Sequence, residues 1–311
     1  MAERRDLWAQ VAANKRRTVY LMAGFAVLIT GVVAAFDLAF AGGPVLVAVA
    51  VVVVVAMVWG SYFYSDKLAI AAAHARPADP AQYRQLHNIV EELCLASGLP
   101  KPRVYIVDDP APNAFATGRN PSHAAVAATT GLLEIMDREE LEGVLAHELS
   151  HVQNYDILVA TVAVTLVGFA ALLSDFGLRM LLFGGRRRGK KDDTGIYVVV
   201  LSVVFIILAP VAAKAMQLAI SRRRESLADV SGVLITRNPQ GLISALEKLR
   251  DNHTVIAHAP AATAHMWIES PLDKQSKGAH GRFNRLFETH PPLDARIAAL
   301  REVAGTFPAA A

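Results

Sequence analysis

The sequence predicts a mainly α-helical membrane protein, with four transmembrane helices in two hairpins and a polar part that is mostly helical with a small β-sheet. Composition gives the first indication, because 53% of the 311 residues are hydrophobic and only 19% are charged. Soluble domains carry about a quarter charged residues. The second indication is that the apolar residues are concentrated in a few long segments. These features exclude an ordinary cytosolic protein, a disordered chain and a secreted disulfide scaffold.

Four apolar segments have about the length of a transmembrane helix, which needs ~20 apolar residues. Residues 19–40 contain a single charge, residues 44–63 contain none, and residues 157–174 and 196–213 are 18 uncharged residues each. The first segment is too long for a signal peptide, and the second follows after only residues 41–43. We therefore expect the first two segments to form a tight helical hairpin.

Two hairpins would return the chain to its starting side, so both polar blocks are expected on the side of the N-terminus. Five basic residues before position 19 place that side in the cytoplasm. The loop 184–195 also carries five basic residues, yet this topology places it outside. A shallow or re-entrant second hairpin is the alternative that would keep this loop on the inner side.

The predicted organisation has five parts. They are a basic N-terminal cytoplasmic segment (1–18), a first transmembrane hairpin (19–63), a first catalytic block (64–156), a second transmembrane hairpin (157–219) and a second catalytic block (220–311). The two polar blocks are each about ninety residues long, and we interpret them as one split domain rather than two.

The charge balance and the cysteine content restrict the partners. The net charge is only +3, and the basic clusters lie beside the apolar segments, where they would meet lipid head groups. This pattern predicts the lipid bilayer as a partner and no nucleic acid. Cys94 is the single cysteine, so no intrachain disulfide can form. A helix over 85–97 would place Cys94 on its apolar side, as a small buried hydrophobe.

The polar blocks show local helix and strand signals. We expect helices over 81–97, from Asp137 onward, over 222–234, after Asn238–Pro239 and over 293–303, strands over 103–107 and 124–129, and an extended stretch over 113–117. Asp137 and Glu140 form a variant of the capping box, which marks a helix start. Gly98 followed by Pro100 is a common helix stop. Residues 252–289 show no clear period.

Residues 147–151 read His-Glu-Leu-Ser-His inside the helix that begins at Asp137. Residues four apart share a helix face, so His147 and His151 can hold the same ion. Zinc suits two imidazoles and a carboxylate, with a fourth position left for water. Glu148 can take the proton of that water as it attacks a peptide carbonyl and pass it to the leaving amine. The pattern predicts zinc-dependent peptide hydrolysis.

A third ligand must come from elsewhere, because the chain after His151 lacks the extension that carries a third histidine. Glu225 and Asp229 are again four residues apart on one face of a predicted helix. They could form a surface ion-pair ladder with the preceding arginines. The hairpin topology instead brings them to the same membrane side as His147. Glu225 would then complete the ligand set, and Asp229 would hold a ligand imidazole through its other N–H.

Five segments of the chain resemble the HtpX-type membrane zinc metalloproteases, bacterial relatives of the CAAX prenyl endoprotease family. The segments are HELSHVQNYD at 147–156, SRRRESLAD at 221–229, PNAFATG at 112–118, TTGLLEIM at 129–136 and THPPLDARIAAL at 289–300. The resemblance implies a zincin-like catalytic domain with one Zn²⁺ per chain, bound by His147, His151 and Glu225, and Glu148 as general base. It also implies a multi-pass protein of the plasma (inner) membrane, with its catalytic domain facing the cytoplasm. The implied activity is cleavage of misfolded or damaged membrane proteins, a stress-response function.

Four further residues are candidates for substrate binding. Asn113, Ala114 and Phe115 match the family segment where an edge strand holds an extended substrate, and a simple turn-rich connection is the alternative. His290 could stabilise the oxyanion or clamp the site, although Pro291 and Pro292 equally indicate a rigid start to a helix.

Two other classes of function compete with the peptidase. A catalytically silent membrane scaffold or chaperone-like binder could keep the same fold, but it has no need for Glu148 between two metal ligands. A metal-handling transporter would want polar ligands within the apolar segments, which offer almost none. The peptidase therefore ranks first and the scaffold second.

Overall fold

The computed structural model describes residues 2–40, 44–162, 175, 178–179, 222–256, 266–269 and 291–305. These residues form helices around one four-stranded sheet. The predicted architecture of a mostly helical chain with a small sheet is thus confirmed. The predicted fourth apolar segment, most of the third and the loop 184–195 are outside the described residues.

Two long helices form the N-terminal part of the chain. Helix α1 spans Ala2–Phe40 and helix α2 spans Pro44–Ala72. Residues 2–18 therefore belong to the same helix as the first apolar segment. Pro44 is compatible with α2 because the first helical position needs no backbone donor. Among the residues described, none of the helices has the combination of length and apolar character needed to cross a membrane.

The sheet is mixed and small. Its strands are β1 (Arg76–Pro77), β2 (Arg103–Val107), β3 (Ala114–Gly118) and β4 (Ala124–Thr129), in the spatial order β1-β2-β4-β3. β2 and β4 are parallel, whereas β1 pairs with β2 and β3 with β4 in antiparallel fashion. The strands predicted over 103–107 and 124–129 are confirmed. Every residue of β3 and β4 is buried.

Shorter helices surround this sheet. They are α3 (Arg84–Ser97), α4 (Thr130–Ile135), α5 (Arg138–Gln153), α6 (Arg222–Thr236), α7 (Pro239–Asp251) and α8 (Leu293–Ala304). α3 begins at Arg84 rather than 81, because the Asp79 side chain accepts from the Ala81 amide and first forms a turn. It ends as predicted at Gly98, whose φ of 70° lies in the left-handed region. Asn238 caps α7 by accepting from the Gly241 amide.

Both polar blocks contribute to one hydrophobic core. Leu86, Val126 and Leu145 from the first block pack in the same cluster as Leu246 and Leu300 from the second, and all five side chains are at most 2% exposed. Helices α5 and α7 approach each other at Gly143, where a Cβ atom would lie only 2.7 Å from the Leu242 amide nitrogen. The two blocks are therefore packed as a single unit despite the long segment between them.

Cys94 lies in this core, as its position on α3 predicts. It is 4% exposed, and burial raises the pKa of its thiol to about 11. Because the thiolate is the reactive form, we expect a water-soluble disulfide reagent at pH 8 to react with native Cys94 roughly a hundredfold or more slower than with an exposed thiol. The measurement is the rate of thiolate release from the reagent, with and without denaturant.

The matched control places a cysteine at exposed Ala96 on the same helix, in a Cys94→Ala background. It should react rapidly in the folded protein. Equal rates for native Cys94 and the Ala96→Cys control would contradict the buried placement.

Candidate metal centre

Helix α5 carries the His-Glu-Leu-Ser-His sequence, and its start is fixed by a full capping box. The Asp137 side chain accepts from the Glu140 amide, and the Glu140 carboxylate accepts from the Asp137 amide. This predicted motif is confirmed. His147 and His151 lie one turn apart on the same face of this helix, and their ring centroids are 4.8 Å apart.

Helix α6 packs against this face of α5 at very short range. The contact centres on Gly232, where a Cβ atom would lie 3.0 Å from the His147 backbone nitrogen. Glu225 and Asp229 precede Gly232 by seven and three residues, so they lie on the same side of α6. A glycine at the point of closest approach therefore lets two acidic side chains of α6 reach the imidazoles of α5.

Three donor groups converge between the two helices. The Nε2 atoms of His147 and His151 lie 3.3 Å apart. The Glu225 carboxylate oxygens lie 3.7 Å from Nε2 of His147 and 3.8 Å from Nε2 of His151. One ligand atom from each residue fits within a 4.8 Å span, so the three residues could hold a metal ion. His151 is the most accessible of the three, with 14% of its side chain exposed.

Each imidazole is held from behind by an aspartate. Nδ1 of His147 lies 2.9 Å from Asp229 Oδ1, and Nδ1 of His151 lies 3.2 Å from Asp156 Oδ2. Because an ionised carboxylate only accepts hydrogen bonds, it favours the proton on Nδ1 and leaves the Nε2 lone pair directed at the shared space. The same arrangement therefore directs the Nε2 lone pairs of both histidines at a space where a metal ion could bind.

Arg296 of α8 fixes the carboxylate behind His147. Its guanidinium group donates to both oxygens of Asp229, at 2.9 and 2.6 Å, and to the Ile268 carbonyl at 3.3 Å. Its Nη2 atom is also 3.4 Å from the His147 ring. Arg296 is 2% exposed, so this is a buried, bidentate ion pair.

A second buried network fixes the carboxylate behind His151. Asn14 of α1 donates from Nδ2 to Asp156 at 2.7 Å and to the Asn154 carbonyl at 2.9 Å. Arg224 of α6 lies 3.7 Å from Asp156 through Nε and 3.4 Å from Asn14 through Nη1. The N-terminal helix, the end of α5 and the start of α6 thus meet at one aspartate.

The two imidazoles differ in their electrostatic environment. Burial, helped by the Arg296 charge, lowers the pKa of His147 to about 4. Burial alone would also lower the pKa of His151, but the carboxylates of Glu225 and Asp156 outweigh it and raise the pKa to about 9. Burial likewise opposes ionisation of Asp229, yet Arg296 and His147 lower its pKa to about 2.

The charges around the three donors indicate a cation. Four carboxylates are buried here, from Glu148, Asp156, Glu225 and Asp229, against two guanidinium groups, from Arg224 and Arg296. With both imidazoles neutral, as metal ligands must be, two negative charges are left uncompensated. Without a metal, protonation of His151 would supply only one of the two missing positive charges. A buried net charge is costly, and a divalent cation at the converging donors would neutralise it. The donor set of two nitrogens and a carboxylate fits zinc.

The other sequence-predicted residues have different positions. Glu148 is buried at 2% exposure and its charge raises the pKa of His151, so it belongs to the same cluster. Ala114 and Phe115 lie in β3, directly after Asn113, and all three are buried. His290 is outside the part of the chain that the structure describes.

The outer edge of β3 is occupied where substrate pairing was predicted. The Ile268 amide donates to the Ala114 carbonyl at 3.0 Å, and Trp267 forms an antiparallel bridge with Phe115. The two rings pack edge to face with centroids 4.7 Å apart. Asn113 adds a bond from Nδ2 to the Glu269 carbonyl at 2.7 Å. Residues 267–269 thus take the place of a further strand at this edge.

Three residues of the site were not predicted from the sequence. Asp156 follows His151 by five residues, but the α-helix ends at Gln153 and gives no periodic signal for it. Arg296 was part of the motif at 289–300, yet nothing in the sequence connects it with Asp229. Asn14 lies in the basic N-terminal segment, far along the chain from its partners.

Comparison with known proteins identifies the family. The sequence model of peptidase family M48 matches residues 80–304, well over half of the chain. The chain belongs to peptidase family M48. A Protease HtpX homolog from Caldanaerobacter subterraneus is 42% identical over 303 residues, covering 96% of this chain and 99% of the relative. A second, from Limosilactobacillus reuteri, is 44% identical with 96% and 100% coverage.

A crystal structure of S. mikatae Ste24p is among the solved structures that resemble this chain. It is 17% identical with a TM-score of 0.49, covering 95% of this chain and 66% of that one. The family match and the sequence relatives establish this M48 peptidase as an HtpX-type metalloprotease, a metal-dependent hydrolase whose substrates are polypeptides. The silent scaffold is not favoured.

The Arg296–Asp229 pair should be strongly coupled in the stability of this peptidase. Arg296→Met leaves the Asp229 carboxylate buried without its cation, and we expect a loss of about 3–5 kcal/mol. The double variant Asp229→Leu/Arg296→Met removes both charges and should be less destabilised than Arg296→Met alone. The measurement is the unfolding free energy of the full chain in detergent, as a double-mutant cycle.

The exposed pair Arg301–Glu247, 2.6 Å apart, is the matched control and should show little coupling. Strictly additive effects at Arg296 and Asp229 would mean that the buried pair does not act as a unit.

Proposed function

We propose that this M48 peptidase is an integral membrane zinc endopeptidase. His147, His151 and Glu225 would hold one zinc ion per chain. The observation that carries the proposal is the convergence of two Nε2 atoms and one carboxylate beside buried aspartates, in a cluster whose buried carboxylates outnumber its guanidinium groups by four to two. Zinc bound there would supply a Lewis acid for the peptide carbonyl and lower the pKa of an attacking water.

Glu148 is proposed as the general base. It follows His147 directly on α5, is buried within the cluster and acts electrostatically on both His151 and Arg296. It would accept the proton of the attacking water and then donate it to the amine that leaves as the peptide bond breaks. Water and substrate can approach from the side of His151, the most accessible of the three proposed ligands.

Asp229 is proposed to position His147. Its carboxylate holds Nδ1 of the imidazole at 2.9 Å and is itself held by two bonds from Arg296. Asp156 would act in the same way on His151. Partners of this kind orient metal ligands and raise their basicity, and their loss typically costs about 10–100-fold in metal affinity or activity.

We propose that polypeptide substrates bind in extended form along β3, beside Asn113, Ala114 and Phe115. This edge adjoins the metal centre, because the Ile268 carbonyl that lies against it also accepts from Arg296. The outward carbonyl of Ala114 is already bonded to Ile268, so a substrate strand must exchange for residues 267–269. His290 remains a proposed contributor to oxyanion binding.

The membrane placement rests on the sequence and on the surface of α1 and α2. The four uncharged or nearly uncharged segments support two transmembrane hairpins on either side of the first catalytic block. On the described helices, large apolar side chains are exposed, for example Val45 at 73%, Val52 at 67% and Val27 at 72%. Such a surface suits lipid. We propose a plasma-membrane location with the catalytic domain in the cytoplasm and misfolded membrane proteins as substrates.

The zinc mechanism is tested by Glu148→Gln. This change removes the base but leaves the proposed ligands, so the variant should retain one zinc per chain while cleavage of casein falls by about 10²–10⁴-fold. Zinc is measured by elemental analysis of the purified full chain and cleavage by release of peptides. Glu225→Gln should instead lose zinc and activity together.

Glu142→Gln, on the same helix and paired with Arg138 at 2.9 Å, is the matched control and should keep both zinc and activity. Full cleavage by the Glu148→Gln variant would eliminate Glu148 as the base. Activity that survives removal of metal by a chelator would eliminate the metal mechanism.

The topology is tested by cysteine labelling in intact cells. A cysteine introduced into 184–195, in a Cys94→Ala background, should react with a membrane-impermeant reagent added from outside. A cysteine at exposed Ala96 should react only after the membrane is opened. Labelling of 184–195 only after opening would contradict full spanning by the second hairpin and favour the re-entrant alternative.

A further inference from the structure

A cleft lined by basic and aromatic residues lies away from the metal centre, at the carboxyl-terminal part of α2. It has a volume of about 790 Å³ and is bounded by α2, by the start of β2 and by the connection from β3 to β4. None of the residues that line it belongs to the metal centre. The proposed peptidase mechanism therefore leaves this cleft without a function.

The cleft is strongly basic. Lys67, Lys101, Arg103 and Arg119 line it, and Asp66 is the single acidic residue in its lining. Arg103 is paired with buried Asp66 at 2.6 Å, and Lys101 is paired with a glutamate outside the lining at 2.7 Å. Two of the four cations are thus compensated within the protein, and Arg103 also has a structural role because it neutralises a buried carboxylate.

The other two cations contact aromatic rings rather than acids. The Lys67 ammonium lies 5.2 Å from the centre of the Tyr64 ring, and the Arg119 guanidinium lies 5.3 Å from that of Phe63. Within the described residues, neither has an ion pair with a carboxylate. Both charges remain available to an anionic ligand, and the rings hold them beside the cleft.

The aromatic side chains of the cleft lie at the carboxyl-terminal end of the uncharged stretch 44–63 and directly after it. Trp59, Phe63 and Tyr64 line the cleft and are 63%, 41% and 57% exposed. Tryptophan and tyrosine concentrate where a membrane-spanning helix leaves the hydrocarbon, and basic residues there meet anionic head groups. A free inorganic anion would use the charges but not the three exposed rings.

We propose that this cleft binds the phosphate head group of an anionic phospholipid, with Lys67 and Arg119 at the phosphate and the three rings beside the glycerol and upper acyl chains. The proposal rests on the membrane placement of α2 proposed above, but it uses none of the metal-centre residues. A lipid held there would fix the β3–β4 connection, and with it the catalytic sheet, at the membrane surface.

The test is native mass spectrometry of the full chain released from detergent micelles titrated with phosphatidylglycerol or phosphatidylcholine. Wild type should bind phosphatidylglycerol with a dissociation constant about tenfold or more below that for phosphatidylcholine. Lys67→Gln/Arg119→Gln should raise the phosphatidylglycerol constant by about tenfold or more and the phosphatidylcholine constant much less, because choline offsets the charge of its phosphate. Casein cleavage by this variant in detergent should stay at the wild-type level.

Arg84→Gln/Arg301→Gln, with the same change in charge on exposed residues outside the cleft, is the matched control and should bind both lipids as wild type does. Lys67→Arg/Arg119→Lys should restore binding and so separate charge from any packing defect. Equal binding of the two lipids by wild type, or equal loss in the matched control, would overturn the proposal. Inorganic phosphate that binds as tightly as phosphatidylglycerol would assign the cleft to a free anion instead.

Membrane integration is scored separately, by extraction of membranes with alkaline carbonate. Release of the chain under these conditions would contradict the proposed spanning helices. The preference among lipids in detergent would still test whether the cleft binds an anionic phospholipid.

Discussion

The close contact between α5 and α6 is the constraint on which the metal centre depends. At Gly232 the two backbones approach until a single added carbon would touch the His147 main chain. This short distance lets Glu225 and Asp229 approach opposite sides of the His147 imidazole. Arg296 and Arg224 compensate part of the negative charge of the buried carboxylates. The negative charge that remains favours a divalent cation. A wider separation would leave buried carboxylates without partners.

The same contact unites segments that are distant in the chain. α5 ends at Gln153 and α6 starts at Arg222, yet their residues share one core and one set of buried ion pairs. Closing a long connection costs little more free energy than closing a short one. The entropy lost on closure grows only with the logarithm of the length of the connection. A hairpin between the two helices is therefore compatible with a single catalytic domain, and the metal would further stabilise the closed arrangement.

Local signals explain what the sequence predicts well. The capping box at Asp137 sets the start of α5, and the spacing of four sets the common face of His147 and His151. Asp156 could not be found in this way. The chain leaves the helix through Tyr155, a non-glycine residue with a φ of 59°, and this left-handed turn brings Asp156 back to His151. No pattern in the sequence predicts that this tyrosine adopts a left-handed backbone conformation.

The partners that are distant in the sequence could not be predicted, for a different reason. The Arg296–Asp229 pair joins residues 67 positions apart, and Asn14 contacts Asp156 across 142 positions. Their side chains are ordinary polar residues on their own helices, and only the packing of several helices buries them together. The sequence shows the residue types that suit a metal site, but it does not show which buried charges would support them.

Strand β3 links the metal centre to the basic cleft. Its first residues lie beside Trp267 and Ile268, and its end leads into the connection that carries Arg119. Five residues of strand span about 17 Å. Thr161 bonds to the Gly118 amide at 3.2 Å, so both ends of the outer edge are covered. Covering protects an edge strand from aggregation. In the binding mode proposed above, an extended substrate would have to displace residues 267–269 from this edge before it could pair with β3.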